Sequence, residues 1–265
     1  MSSSSTTIIT AFYNLKKNKY NNNVDVYLYW ISNFLPYCNS NMVIFTNNDC
    51  YEFIKKMRAN QKDKTRIIIL DIENFYTYKY LNYWLDDLNR DPERNIHNIE
   101  LYMLWNEKCK FVEKTIQLNP FNTEYFIWTD IGVIRDQKNI ELIKTYPNDR
   151  VINDIDNTKM YMLYIDCYND IPFENNITLS GASEMFLKNN YVGGTIFFGH
   201  KDVFNIYIKR YYEMLDEFIN NNFFAGKDQS IISCIYFNDK NLFKLIKPDL
   251  NLFDDKWFYL LYFFH

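Results

Sequence analysis

The sequence predicts an α/β fold with a central sheet covered by helices on both faces. Short apolar runs, typical of strands buried on both faces, occur at residues 6–13, 42–46 and 125–129. The segments between the early strands carry apolar residues at helical spacing. Because parallel strands need a crossover connection, usually a helix, the β-α-β-α-β order of the first half indicates mostly parallel strands.

Each element is predicted from its own pattern. The predicted strands are residues 6–13, 42–46, 66–72, 125–129, 159–166, 191–198 and 242–246. The predicted helices are residues 25–37, 51–60, 95–118, 138–144, 202–218 and 228–236, with Asp49 as the expected N-cap of the second. Since no linker rich in Pro, Gly or Ser divides the chain, a single domain of residues 1–265 is expected.

Composition excludes several classes of protein. The net charge is -4 and no basic stripe is present, which argues against nucleic-acid binding. The five cysteines are widely spaced and odd in number, so buried reduced thiols are expected rather than zinc sites or disulfides. The polar N-terminus lacks a signal-peptide core, and the apolar run 257–264 is too short to cross a bilayer. A soluble cytoplasmic protein without a transmembrane segment is expected.

The most informative segment is residues 125–132, which reads YFIWTDIG. An apolar strand runs directly into Asp130, and Gly132 follows two positions later. Ligands of open α/β sheets bind beyond the carboxyl ends of such strands. Asp130 is therefore a candidate ligand of a metal ion or a contact on the phosphate side of a substrate. The alternative is a turn or N-cap aspartate, which is common at strand ends.

The distribution of glycine favours a ligand-binding role for Asp130 over a turn or N-cap role. The chain has 6 glycines, none of them in the first 131 residues. Five lie between Gly181 and Gly226, and the sixth is Gly132. A chain that avoids glycine keeps it where a side chain is not tolerated or where φ must be positive. This distribution predicts a site built from loops of the second half of the chain.

Several segments resemble the HtrL/YibB family of bacterial and viral proteins, which is assigned to glycosyltransferases of the GT-A type. The segments are residues 6–13, 99–108, 118–121, 125–132 and 193–199, which read TTIITAFY, IELYMLWNEK, LNPF, YFIWTDIG and GGTIFFG. The resemblance covers roughly residues 6–260. It implies a Rossmann-like α/β/α sandwich with a central, mostly parallel (mixed) sheet, a nucleotide-sugar donor and Mn²⁺ or Mg²⁺ as cofactor.

The resemblance also implies roles for individual residues. Thr10, Phe12 and Tyr13 end the first strand, where GT-A enzymes hold the base and the ribose; the alternative is ordinary strand residues. Asp228, at the start of a late helix, would address the acceptor hydroxyl as the catalytic residue, or would be only an N-cap. Many GT-A enzymes carry Asp-x-Asp at this strand end, whereas this chain has Asp130-Ile-Gly. Asp130 is left as the single predicted metal ligand.

Other residues near these motifs are candidate substrate contacts. Lys108 would reach a phosphate as a point charge, or would be a solvated helix lysine. Arg135 would contact the donor or the acceptor. The pair Gly193 and Gly194 would let a sugar approach the backbone, or would mark a bulge in an edge strand. Trp128 and Thr129, which directly precede Asp130, complete the predicted substrate-binding set.

The predicted function is transfer of a sugar from a nucleotide-diphosphate sugar, expected to be UDP-linked, to a hydroxyl of a glycan, a glycolipid or a protein. Two alternatives remain open. One is a nucleotide- or glycan-binding module that has lost its activity together with the second aspartate. The other is a phosphotransfer enzyme with Asp71 or Asp130 as nucleophile. Such families generally have a second aspartate two residues after the nucleophile, and neither Asp71 nor Asp130 is followed by one. The sequence is silent on the oligomeric state.

Overall fold

A central sheet organises the structure. The computed structural model describes residues 5–15, 23–166 and 191–265. Within these ranges the strands are β1 (Thr6–Phe12), β2 (Asn41–Thr46), β3 (Thr65–Ile69), β4 (Tyr125–Thr129), β5 (Met160–Tyr164), β6 (Val192–His200) and β7 (Phe243–Ile246). They form one sheet of order β3-β2-β1-β4-β6-β5-β7. Strand β6 is antiparallel to both of its neighbours, and the other pairs are parallel.

Helices cover both faces of this sheet. They are α1 (Asp25–Phe34), α2 (Asn48–Met57), α3 (Leu81–Arg90), α4 (Ile99–Leu118), α5 (Ile140–Thr145), α6 (Asp149–Asn153), α7 (Lys201–Asn220), α8 (Asp228–Asn238) and α9 (Tyr259–Phe263). Because successive side chains of a strand point to opposite faces, Ile8 and Ile9 of β1 enter two different cores. One core includes residues of α3, α4, α7 and α8, and the other includes residues of α1, α2, α5, α6 and α9. The predicted α/β/α sandwich with a mostly parallel, mixed sheet is confirmed.

Sequence patterns placed most elements correctly, with a few local errors. Helix α2 begins earlier than predicted, and its N-cap is Asn47 rather than Asp49, because the Asn47 side chain accepts a hydrogen bond from the backbone N–H of Cys50. Helices α3, α6 and α9 were not predicted. The strand β6 runs unbroken through Gly193 and Gly194. It is an interior strand, and an irregularity in its pairing lies opposite the β5 segment 161–163.

The reversed direction of β6 determines which residues meet at the edge of the sheet. In the β4–β6 ladder Thr129 pairs with Ile196, and the backbone N–H of Asp130 donates to the carbonyl of Thr195 at 2.8 Å. The beginning of β6 therefore lies beside the end of β4. As a result, Gly194 and Asp130 reach the same edge of the sheet from two strands of opposite direction.

Two expectations from composition concern the cysteines and the membrane. Cys38, Cys50, Cys109 and Cys234 are buried free thiols, as predicted. Cys167 and Gly181 lie outside the described residues. In the part of the chain that the structure describes, none of the helices combines the length and the apolar character needed to span a bilayer.

Candidate active site

A cavity of about 410 Å³ opens at the carboxyl end of β4. This is where open α/β sheets bind ligands, and the volume lies in the usual range of small-molecule sites. Six of the predicted site residues line it: Lys108, Trp128, Asp130, Arg135, Gly194 and Asp228. Gly132, the glycine of the strand-end motif, lines it as well.

A lysine joins two of the predicted carboxylates in this cavity. The Lys108 Nζ atom lies 3.2 Å from Asp130 Oδ1 and 3.0 Å from Asp228 Oδ2. It also donates a hydrogen bond of 2.8 Å to the carbonyl oxygen of Gly194. The contact with Asp228 is an ion pair without the alignment of a hydrogen bond. Residues from α4, the end of β4, β6 and α8 thus converge on one ammonium group.

Burial makes this arrangement costly unless its charges compensate one another. Only 7% of the side chain is exposed in both Lys108 and Asp228. Burial alone would lower the pKa of Lys108, but Asp130 and Asp228 outweigh it and raise that pKa above its ordinary value. Burial raises the pKa of Asp228, and the positive charge of Lys108 opposes this effect. Removal of Lys108 would leave the buried Asp228 carboxylate without compensation.

Asp130 is the more accessible of the two carboxylates. Its Oδ1 atom accepts a hydrogen bond of 2.7 Å from the indole Nε1–H of Trp128 and faces Lys108. The Oδ2 atom makes no hydrogen bond to any described residue, and 30% of the side chain is exposed. Asp130 therefore presents one carboxylate oxygen to the cavity while the other is held in position.

Asp228 is not a capping residue. The N-cap of α8 is Lys227, which makes no side-chain cap, and Asp228 is the first helical residue. Its carboxylate lies against the backbone of Gly194, since a Cβ atom at that glycine would be 2.8 Å from Asp228 Oδ2. The N-cap alternative for Asp228 is thus wrong, and its orientation follows from Lys108 and from the missing side chain of Gly194.

Gly132 and Arg135 both pack against the indole ring of Trp30, and all three residues line the cavity. A Cβ atom at Gly132 would lie 2.9 Å from Trp30 Cε3, so the glycine lets this indole pack against the strand-end loop. The guanidinium carbon of Arg135 lies 4.8 Å from the Trp30 ring centroid and 4.6 Å from that of Phe258. Arg135 is held between two aromatic rings by cation–π contacts.

A group of three residues beside the cavity, of which Glu93 and His97 line it, could hold a metal ion. Asp91, Glu93 and His97 place one ligand atom each within 4.8 Å of one another. These groups already bind protein partners: His97 Nδ1 lies 2.7 Å from Asp91 Oδ2, and Tyr102 donates its hydroxyl to the same oxygen. Glu93 forms an ion pair with Lys227. An ion at this group would have to replace some of these contacts.

The structure does not bring every predicted residue to the main cavity. Phe12 and Tyr13 line an adjoining apolar cavity of about 110 Å³. Thr10 and Thr129 are fully buried, and Thr129 shares a hydrogen bond with the Tyr146 hydroxyl. A Cβ atom at Gly193 would lie 3.1 Å from Ile165 and Leu163, so that glycine serves packing.

Sequence reasoning also missed residues of the cavity. They are Ala11, Tyr27, Trp30, Glu93, Ile96, His97, Leu101, Leu104, Trp105, Ile131, Thr195, Lys227, Gln229, Trp257 and Phe258. Trp30 lies in an amphipathic helix, where an aromatic residue is ordinarily part of the core. The position of Glu93 next to Lys227 depends on tertiary structure that no local pattern records.

The fold and the cavity define an α/β/α protein with a buried carboxylate–lysine–carboxylate group at the end of a central strand. The sequence profile of the family described as "Bacterial protein of unknown function (HtrL_YibB)" matches residues 4–265. The chain belongs to the HtrL/YibB family, which confirms the resemblance seen in the sequence.

Comparisons with individual proteins are more distant. No curated protein matches the chain. Among solved structures, the chain is similar to mouse xyloside xylosyltransferase 1 in its apo form, with 10% sequence identity and a TM-score of 0.44. The similarity covers 90% of this chain and 84% of that chain.

Proposed function

We propose that the protein is a glycosyltransferase of the GT-A type, acting as a single domain, that transfers a sugar from a UDP-sugar to a hydroxyl of a glycan, lipid or protein. The observation that carries the proposal is the convergence of Lys108, Asp130, Asp228 and Gly194 in one cavity beyond β4. A buried charged group of this kind adds little to stability, so its retention at a ligand-binding edge favours a chemical role.

In the proposed reaction Asp228 is the general base. The acceptor hydroxyl oxygen forms a bond to the anomeric carbon, and the bond from that carbon to the diphosphate oxygen breaks with its electron pair leaving on the diphosphate. The hydroxyl proton passes to the Asp228 carboxylate. Lys108 keeps the Asp228 carboxylate ionised and oriented. Burial raises the pKa of Asp228, which makes this carboxylate a stronger base than that of a solvated aspartate.

Asp130 is suited to be the protein ligand of a cation that takes its other ligands from substrate and water. Its Oδ2 atom is available, whereas the space between Asp130 and Asp228 already contains the Lys108 ammonium. Mn²⁺ and Mg²⁺ are often bound by one or two carboxylates together with substrate phosphates. Such an ion would stabilise negative charge on the leaving diphosphate as a Lewis acid.

The nucleoside is assigned to the adjoining small cavity. Phe12 and Tyr13 line it, and Ala11, Tyr27 and Leu101 line both cavities. Its predominantly apolar wall suits a base, which has an extended hydrophobic face. The Tyr13 hydroxyl is already used, since it donates to the carbonyl of Leu70 at 2.8 Å.

The experiment that tests this function measures melting temperature against a panel of nucleotide sugars, with and without Mn²⁺. Stabilisation by one donor, followed by turnover of that donor with an acceptor, supports a transferase. A shift with UDP but no consumption of any UDP-sugar on long incubation would favour the binding module that has lost its activity. No shift with any nucleotide or nucleotide sugar would reject both readings.

A further inference from the structure

Arg135 differs from the other cations of the main cavity in having no acidic partner among the residues that the structure describes. Lys108 is paired with Asp130 and Asp228, and Lys227 is paired with Glu93. No described carboxylate lies within ion-pair distance of Arg135. Its side chain is exposed on the cavity wall. The guanidinium group therefore faces the cavity with its charge uncompensated by the described residues.

The position of this guanidinium is nevertheless well defined. The rings of Trp30 and Phe258 lie on it at 4.8 and 4.6 Å, and Trp30 itself packs against Gly132. Both aromatic residues are buried. A guanidinium that lies over aromatic rings can still donate hydrogen bonds through the N–H groups that point away from them. A fixed planar fork of donors is suited to bidentate binding of a phosphate or carboxylate.

We propose that Arg135 binds the diphosphate of the donor and supplies positive charge to the leaving group. This assignment rests on the proposed function, and it adds a named contact for the diphosphate that does not require a metal ion. The anion is identified as a pyrophosphate group because Arg135 lines the same cavity as Asp130, where the proposed function puts the donor diphosphate.

Charge balance indicates that a diphosphate bound in this cavity would require Arg135. With both carboxylates ionised, Lys108, Asp130 and Asp228 together carry one net negative charge, and the Lys227–Glu93 pair is neutral. A diphosphate would add further negative charge to a cavity already negative on one side. Arg135 is the described lining residue that can offset it without first breaking an existing ion pair.

The test compares wild type with Arg135→Gln and Arg135→Lys by isothermal titration at constant Mg²⁺. The probes are UDP, uridine, inorganic pyrophosphate and glucuronate. Arg150→Gln is the matched control, since it removes an exposed arginine that does not line the cavity. Thermal melting confirms that each variant is folded.

We expect Arg135→Gln to weaken UDP and pyrophosphate binding by about 10- to 100-fold, the loss typical of a charged hydrogen-bonded contact. Uridine affinity should stay unchanged. Arg135→Lys should be intermediate, because it keeps the charge but loses the stacked fork. Arg150→Gln should behave as wild type.

Other outcomes separate this inference from the proposed function. Equal UDP and pyrophosphate affinity in Arg135→Gln and wild type would overturn it, as would an equal loss for uridine. An Arg135-dependent loss confined to glucuronate would overturn the diphosphate assignment and point to a carboxylate on the acceptor. If wild type binds pyrophosphate through Arg135 but binds neither UDP nor uridine, the anion site stands and the nucleotide-sugar function falls. Absence of both UDP and pyrophosphate binding to wild type overturns the inference.

Discussion

Gly194 and Asp228 are so close that a methyl group on the glycine would lie 2.8 Å from Asp228 Oδ2. The same glycine accepts the hydrogen bond of Lys108 through its carbonyl oxygen. One residue without a side chain therefore holds the lysine and leaves room for the carboxylate.

Gly194→Ala is expected to lower turnover by at least 10-fold, because the new Cβ atom displaces the Asp228 carboxylate from Lys108. The measurement is steady-state transfer with the donor found in the nucleotide-sugar panel. Gly193→Ala is the comparison, since its Cβ atom would meet Ile165 and Leu163 at 3.1 Å and so disturb apolar packing. A larger loss of turnover in Gly193→Ala than in Gly194→Ala would contradict the proposed role of Gly194.

Lys108→Met should destabilise the fold by about 3–5 kcal/mol, because it leaves the buried Asp228 without its cation. The free energy of unfolding in urea measures this loss. The double variant Lys108→Met/Asp228→Asn should lose less than Lys108→Met alone, since the uncompensated charge is gone. A double variant as unstable as the sum of the two single variants would show that the pair is not energetically coupled.

Asp130→Ala should abolish transfer while the protein stays folded. The side chain is partly exposed, and the Lys108–Asp228 pair remains when it is removed. Transfer assays at several Mn²⁺ concentrations, together with thermal melting, measure both effects. Asp130→Asn, which keeps an oxygen for the Trp128 Nε1–H, is the conservative variant. Undiminished turnover in Asp130→Ala would defeat the assignment of this residue.

Stability should fall as the pH rises towards neutrality, because of Glu107. Its buried carboxyl group accepts hydrogen bonds from the backbone of Tyr76 and Thr77. Burial raises the pKa of Glu107 from 4.5 to about 7, against the opposing effects of these bonds and of Lys110. The folded state therefore holds a proton that the unfolded state loses above about pH 4.5. The stabilisation, on the order of 3 kcal/mol, is complete below that pH and is lost as the pH passes 7.

Urea unfolding at several pH values between 4.5 and 7.5 measures this slope. Glu107→Gln should flatten it. A residual slope is expected, because burial also raises the pKa of Asp87 to about 6 in spite of Arg90. If the free energy of unfolding of Glu107→Gln depends on pH as steeply as that of the wild type, Glu107 is not the cause of the pH dependence.

Much of the fold was predictable because strands buried on both faces leave continuous apolar runs, as in β1 and β4. The direction of β6 was not, since the pattern of a strand is the same in both directions. Helix α3 was missed although it carries apolar residues at the helical spacing 81, 84, 85 and 88. The burial of Asp87 in this helix, where it accepts from the backbone N–H of Ala225, depends on tertiary contacts that no local pattern records.

The candidate site was predictable only as separate residues. Asp130 was identified by its place after a buried strand, and Asp228 through the family resemblance. Their common partner, Lys108, was considered as a phosphate contact or a solvated helix lysine, and its burial excludes the second possibility. A side chain that joins α4, β4 and α8 is determined by packing between elements far apart in the sequence, which no local pattern encodes.

The antiparallel insertion of β6 between β4 and β5 makes the two portions of the chain interdependent. The portion up to β5 supplies Lys108 and Asp130, while the portion from β6 onward supplies the Gly194 carbonyl and Asp228. If the chain were divided between β5 and β6, each fragment would have an incomplete sheet and only part of the group formed by Lys108, Asp130 and Asp228. Two such fragments would restore the cavity only if β6 of the second fragment pairs with β4 and β5 of the first.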